Sequence, residues 1–169
     1  KLAADAAAQT LSRIEPLATI DAAAGVALVI EAIVEDLDAK RTLFGQLEAI
    51  VGEDCILATN TSSISVTAIA NGLQRPQRLV GMHFFNPVPL MKLVEVVSGL
   101  HTEAAVAEAI FELSKAWGKV PVHARSTPGF IVNRMLIPFL NEACFALQEG
   151  LGTREDIDTG AKLGLNHPM

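Results

Sequence analysis

The sequence predicts an α/β sheet that gives way to an all-helical segment near residue 127, and three observations carry that expectation. Short Val- and Ile-rich runs alternate with helical apolar patterns over the first two thirds of the chain, the rhythm of β-α-β units. Strand-like runs cease after Ala124, and only helical patterns follow. Half of the 169 residues are apolar and 19% are charged, enough to build a core and to exclude global disorder.

Each element has its own signal. Lys1–Arg13 reads as a helix. Val26–Ile33 is a continuous apolar run, which suits a strand buried on both faces of a parallel sheet. Asp36 or Asp38 can cap the next helix, whose Leu43, Leu47 and Ile50 keep helical spacing before Gly52 ends it. Cys55–Thr59 is the second buried strand. Ile64–Ala70 is a short helix capped by Ser63 or Ser65 and closed by Asn71-Gly72. Leu79–Asn86 is the third strand. A Pro-rich turn, Asn86 to Met91, leads into a fourth strand at Lys92–Val97. Glu103–Trp117 is a helix with Val106, Ile110 and Leu113 on one face, and Lys119–Ala124 is the last strand. Thr127 as N-cap and Pro128 at the first position open a long helix that runs to about Glu149 and stops at Gly150. Pro138 inside it predicts a kink. Thr153 and Asp156 resemble a capping box that starts a final helix. These readings divide the chain into an α/β part, residues 1–126, and a helical part, residues 127–169. The first element is already a helix and the last ends with little partner surface, so a fragment of a longer protein is expected.

Charge and composition narrow the function classes. The net charge of −6 argues against a nucleic-acid groove, which needs clustered Lys and Arg. The most apolar run, Val26–Ile33, carries Glu31 and is far short of the ~18–20 residues of a bilayer span. No basic amphipathic stretch suggests a membrane surface. The chain begins without the long apolar stretch of a signal peptide. Cys55 and Cys144 stand far apart and read as two buried, reduced thiols of a cytoplasmic protein. His83, His101, His123 and His167 show no metal-ligand spacing, so no metal is expected.

Four places could carry chemistry. In a hairpin centred on Pro89, Asn86 faces Lys92, Phe85 faces Leu93 and His83 faces Glu95. Directly opposed side chains have Cβ atoms ~4.5–5.5 Å apart, so an imidazole and a carboxylate would meet. That is either a general base oriented by an acid or a cross-strand ion pair on a solvated face. Asn60-Thr61-Ser62-Ser63 follows a buried strand, where ligands sit in open parallel sheets, but helix capping explains it equally well. Glu35 and Lys40, five apart, fit a solvated helix pair or a ligand contact. Asn133, among Ile131, Val132 and Met135, is a satisfied boundary residue or a substrate contact.

The segment Ile56–Asn133 resembles the L-3-hydroxyacyl-CoA dehydrogenase family. The resemblance rests on Asn60-Thr61-Ser62-Ser63, on Gly81-Met82-His83-Phe84-Phe85-Asn86-Pro87-Val88-Pro89, on Lys92-Leu93-Val94-Glu95-Val96, and on Thr127-Pro128-Gly129-Phe130-Ile131-Val132-Asn133-Arg134. Val29 to Glu35 upstream fits as well, as do Asp156-Ile157-Asp158, Gly164 and His167-Pro168-Met169. The pattern is also similar to the bacterial 3-hydroxybutyryl-CoA and phenylacetate-degradation types.

That resemblance implies the second half of a Rossmann-like sheet followed by the start of an all-α C-terminal domain. It implies oxidation of a 3-hydroxyacyl-CoA to a 3-ketoacyl-CoA with NAD⁺ as hydride acceptor, in fatty-acid or aromatic-acid degradation. His83 matches the family's catalytic base and Glu95 its partner carboxylate. Ser62 and Asn133 match residues that contact substrate oxygens. Ala32, Glu35, Lys40, Asn60, Ser62 and Asn86 match positions around the nicotinamide half of NAD. A homodimer is the family expectation. The family's opening strand and GxGxxG loop, which hold the pyrophosphate, are not in this sequence, nor are its last helices. A chain of this length alone is therefore expected to bind NAD⁺ poorly and to turn over slowly. Two other readings compete: a non-catalytic relative kept as a binding or structural protein, and the dehydrogenase portion of a multifunctional chain.

Overall fold

A computed structural model of the chain describes residues 3–168. Its centre is a five-stranded sheet in the order β1 (Leu28–Glu31), β2 (Ile56–Thr59), β3 (Leu79–Phe84), β4 (Leu93–Ser98), β5 (Val120–Arg125). The first three strands are mutually parallel, β4 runs antiparallel to β3, and β5 is parallel to β4. The α/β expectation therefore holds, with a Rossmann-like arrangement of parallel strands and crossover helices.

Alternation along the strands splits the core into two layers. On one face Leu57, Leu79 and Val97 pack against Phe44 and Leu47 of α2 (Leu37–Ile50) and Val66 and Ile69 of α3 (Val66–Ala70). On the other, Ala58, Val80, Met82, Val94 and Val96 pack against Ala107 and Ile110 of α4 (Ala104–Ala116). Gly81 lies on the first face, where a Cβ would come within 2.7 Å of Val97 Cβ and 3.0 Å of Val66 Cγ2. Its bare backbone lets α3 settle onto the sheet.

Local signals explain the helix starts. Asp36 rather than Asp38 caps α2, accepting from Ala39 N at 2.8 Å. Ser65 rather than Ser63 caps α3, accepting from Ala68 N at 3.2 Å. The helical part contains α5 (Val132–Gln148) and α6 (Arg154–Thr159), the latter closed by the expected Thr153–Asp156 capping box. Gly150, at φ 73°, ends α5 in the left-handed conformation that a helix C-terminus favours. Pro138 lies within α5 and has no N–H to offer the preceding turn.

Several expectations need correction. The first helix, α1, spans Ala4–Leu11 rather than residues 1–13; Lys1 and Leu2 lie outside the described residues. The run at 26–33 yields a strand of four residues that is not buried on both faces. Among the described residues β1 pairs only with β2, and Ile30 remains 39% exposed. The hairpin register continues only from Gly81↔Val97 to Phe84↔Val94, and the expected Phe85–Leu93 and Asn86–Lys92 pairs do not form. Lys119 clamps the loop away from the ladder by donating to the carbonyls of Val88 and Met91. Cys144 is exposed, not buried, because α5 buries none of its residues; Cys55 is buried as expected.

The long helix also starts later than Thr127-Pro128 suggests. Gly129 (φ 78°) and Phe130 (φ 47°) both turn left-handed, so helical geometry begins at Val132. A Cβ on Gly129 would lie 2.7 Å from the backbone N of Arg134. Gly129→Ala should therefore destabilise the fold by at least about 1–2 kcal/mol, the cost of a left-handed L-residue, read as a lower urea midpoint at unchanged slope.

Candidate active site

His83 and Glu95 meet as the hairpin arithmetic requires. They are paired across β3 and β4, and their side chains lie on the sheet face covered by α2 and α3. His83 Nδ1 is 2.7 Å from Glu95 Oε2, with both side chains buried. The other oxygen, Glu95 Oε1, accepts from the backbone N–H groups of Ile131 (2.9 Å) and Val132 (3.0 Å) at the start of α5. One carboxylate thus accepts three hydrogen bonds, two of them from donors that an isolated helix leaves orphaned. Because Glu95 serves as the acceptor, Nδ1 is the donor, and neutral His83 carries its lone pair on Nε2. Nε2 makes no hydrogen bond among the described residues.

Aromatic packing fixes the ring further. Phe85 lies 4.6 Å from the imidazole, centroid to centroid, and Phe130 meets it edge-on at 5.6 Å. Phe130 is buried, and its left-handed backbone brings the following two N–H groups onto Glu95. A non-glycine residue in that region is uncommon and often marks a site where geometry is imposed by function.

The solvated-pair reading of Glu35 and Lys40 is wrong for Lys40. Its side chain is 1% exposed, and its Nζ lies 2.7 Å from Glu31 Oε1 and 3.3 Å from Glu35 Oε2. Glu31, at the end of β1, had no assigned role, yet it is the ammonium's nearer partner. The signal was a lone acid inside an otherwise apolar strand run. Glu35 itself stays partly exposed and gathers the next loop: its Oε1 accepts from Thr61 Oγ1 (2.5 Å), Ser62 N (2.9 Å) and Ser63 N (3.2 Å). Burial alone would push the Glu35 carboxyl up. The hydrogen bonds from Thr61 and Ser62, together with the Lys40 ammonium, outweigh it and hold the group below its ordinary value.

The remaining candidates line the same end of the sheet. Asn60 accepts from Phe84 N at 2.9 Å through Oδ1, which ties the end of β2 to the end of β3. Asn133, in the first turn of α5, donates from Nδ2 to the Ser62 carbonyl at 3.4 Å. Ala32 and Asn86 are exposed, one just past β1 and the other at the start of the Pro-rich loop. The structure thus joins His83 to Glu95 directly, and joins Lys40, Glu35, Ser62 and Asn133 in a second chain of contacts. Among the described residues no group of three or more His, Cys, Asp or Glu side chains could hold a metal, and no helix is long and apolar enough to cross a membrane.

The chain is similar over its length to 3-hydroxyacyl-CoA dehydrogenases. Residues 1–127 match the model of the 3-hydroxyacyl-CoA dehydrogenase NAD-binding domain, and residues 129–169 that of the 3-hydroxyacyl-CoA dehydrogenase C-terminal domain. A 3-hydroxybutyryl-CoA dehydrogenase of Clostridioides difficile is 49% identical over 162 residues, 96% of this chain and 58% of its own length. A 3-hydroxyadipyl-CoA dehydrogenase of Escherichia coli is 50% identical over 169 residues, all of this chain and 36% of the relative. The crystal structure of (S)-3-hydroxybutyryl-CoA dehydrogenase from Ralstonia eutropha superposes with a TM-score of 0.94 at 47% identity, over 99% of this chain and 59% of that one. The chain therefore spans only part of the length of these relatives, between 36% and 59%. With three quarters of the sequence under one domain model and the rest under its companion, the chain belongs to the 3-hydroxyacyl-CoA dehydrogenase family.

Proposed function

We propose that the protein oxidises (S)-3-hydroxyacyl-CoA to 3-ketoacyl-CoA with NAD⁺, and that His83 is the base. The observation that carries this reading is the buried His83–Glu95 pair, which leaves Nε2 free at the carboxyl ends of the parallel strands. Ligands of open α/β sheets bind at those ends. His83 Nε2 takes the proton of the substrate's 3-hydroxyl while Glu95 steadies the imidazolium that forms. Ser62 and Asn133 contact the substrate's oxygens and hold the hydroxyl toward His83. NAD⁺, when bound, accepts the hydride that leaves C3.

The rim of β1 and β2 suits the nicotinamide half of that cofactor. Ala32 and Ser62 are exposed there, and Glu35 keeps part of its carboxylate open. Asn60, just past β2, and Asn86, in the Pro-rich loop, flank the same rim. Lys40, spent on two carboxylates, acts through Glu35 rather than by touching the cofactor. The division between a cofactor part, 1–126, and a helical part, 127–169, agrees with where the two matching domain models meet. Two free thiols fit a reducing compartment such as the cytoplasm, and exposed apolar side chains on α5, Met135, Ile137 and Leu140, fit a homodimer or other helical contact.

The test is NADH formation by the protein as its gene encodes it, with (S)- and (R)-3-hydroxybutyryl-CoA and free 3-hydroxybutyrate. Turnover of the (S)-thioester alone is the expected result. Absence of turnover with every 3-hydroxyacyl-CoA tried would overturn the reading.

A further inference from the structure

We infer that Glu31 is a positioning residue that sets the Thr61–Ser63 loop through Lys40 and Glu35; the inference deepens the proposed function and rests on it for the meaning of that loop. Glu31 ends β1 and Thr59 ends β2, and the two are register partners in the sheet. Glu31 Oε2 accepts from Thr59 Oγ1 at 2.7 Å, and Oε1 accepts from Ile33 N and Lys40 Nζ, both at 2.7 Å. Both oxygens of this buried carboxylate are therefore hydrogen-bonded. It cannot move without stranding one of them, so it fixes where the Lys40 ammonium sits.

Lys40 then presents its charge to Glu35 at 3.3 Å. Glu35 has two tasks, one per oxygen: Oε2 faces Lys40, and Oε1 gathers Thr61, Ser62 and Ser63. Thr61 is itself buried and accepts from Ile64 N at 2.9 Å, which sets up the entry to α3. Two carboxylates share one ammonium, so the group carries one net negative charge. Without the Glu31 carboxylate the ammonium has no fixed seat, Glu35 loses the partner that holds its Oε2, and the loop loses a positioned acceptor. A buried ion pair contributes little net stability against apolar replacements of similar size. Its use here is geometric, because it places Glu35 beside the residues that line the proposed cofactor rim.

Amide exchange and steady-state kinetics on Glu31→Gln test this. Exchange at Ser62 and Ser63 should rise about tenfold, while Val80 and Val96 in the central strands keep their protection. The KM for NAD⁺ should rise about tenfold, the loss of one charged hydrogen bond. Unchanged exchange at Ser62 and Ser63, or a uniform rise across the sheet, would overturn the inference. Should Glu31→Gln fail to fold, the Glu31→Gln/Lys40→Met pair, which removes both buried charges together, takes the same exchange test with the same expectation. Failure of both to fold would assign the pair to stability alone and also overturn it. Failure of the wild-type protein to use NAD⁺ would sink the proposed function, while the exchange result would still decide the loop's dependence on Glu31.

Discussion

Glutamine at position 83 is expected to cut turnover of a 3-hydroxyacyl-CoA by about 10²–10⁴-fold, the usual contribution of a positioned general base. The amide is close to imidazole in reach and can still donate to Glu95, so the fold should survive. Cofactor binding should survive as well, since Glu35 and the Asn60–Ser63 loop do not hydrogen-bond His83. What disappears is a basic nitrogen at the place Nε2 occupies. The measurement is kcat at saturating NAD⁺ and substrate, beside a urea titration of the same preparation. A variant that retains more than a few per cent of turnover would remove His83 from the role of base.

The second large effect is expected at Glu95→Gln. Glu95 accepts from three N–H groups with two oxygens, whereas glutamine offers one acceptor and one donating NH₂. If the amide oxygen stays with Ile131 and Val132, the NH₂ faces His83 Nδ1. That favours the tautomer with its proton on Nε2, where the substrate's proton should go. Loss of the correct tautomer in an analogous acid–base pair costs about 10⁴ in kcat. If the amide flips, the NH₂ opposes two helix N–H groups, and leaving them unsatisfied costs about 1–3 kcal/mol each. Both arrangements lose function, and the second also loses stability. The experiment is kcat paired with the urea midpoint. Turnover within twofold of wild type would show that the carboxylate neither orients the ring nor anchors the helix.

The His83–Glu95 pair was legible in the sequence because a hairpin turns position into geometry. Once the turn is centred, partners on opposite strands follow, and a pairing of Gly81 through Phe84 sufficed to bring the two side chains together. The prediction failed just beyond, at Phe85 and Asn86, where Lys119, just ahead of β5, holds the loop and no local rule applies. Thr127-Pro128 read as a helix start because both residues favour that place. The two left-handed residues that follow, one of them Phe130, depend on packing against His83 and on Glu95 receiving the next N–H groups. Lys40 was misjudged because helix spacing considers neighbours on the same helix. Its nearer partner is Glu31 on the preceding strand, across a turn that spacing alone does not close. Cys144 shows the same limit in the other direction: a residue type that favours burial lies on a helix that buries none of its residues.

The shared carboxylate of Glu95 makes the two parts of the chain thermodynamically linked. The seat of α5 on the sheet and the orientation of the imidazole draw on one group, so neither equilibrium is independent of the other. A ligand that grips the helical part through Asn133 and favours its seated position must also narrow the ring's range of orientations. A ligand that grips the ring must strengthen the seating of α5 by the same free energy, since coupling between two binding equilibria is reciprocal. Occupancy on one side of the junction is thereby converted into order on the other through two backbone N–H groups and one imidazole N–H that share a single carboxylate.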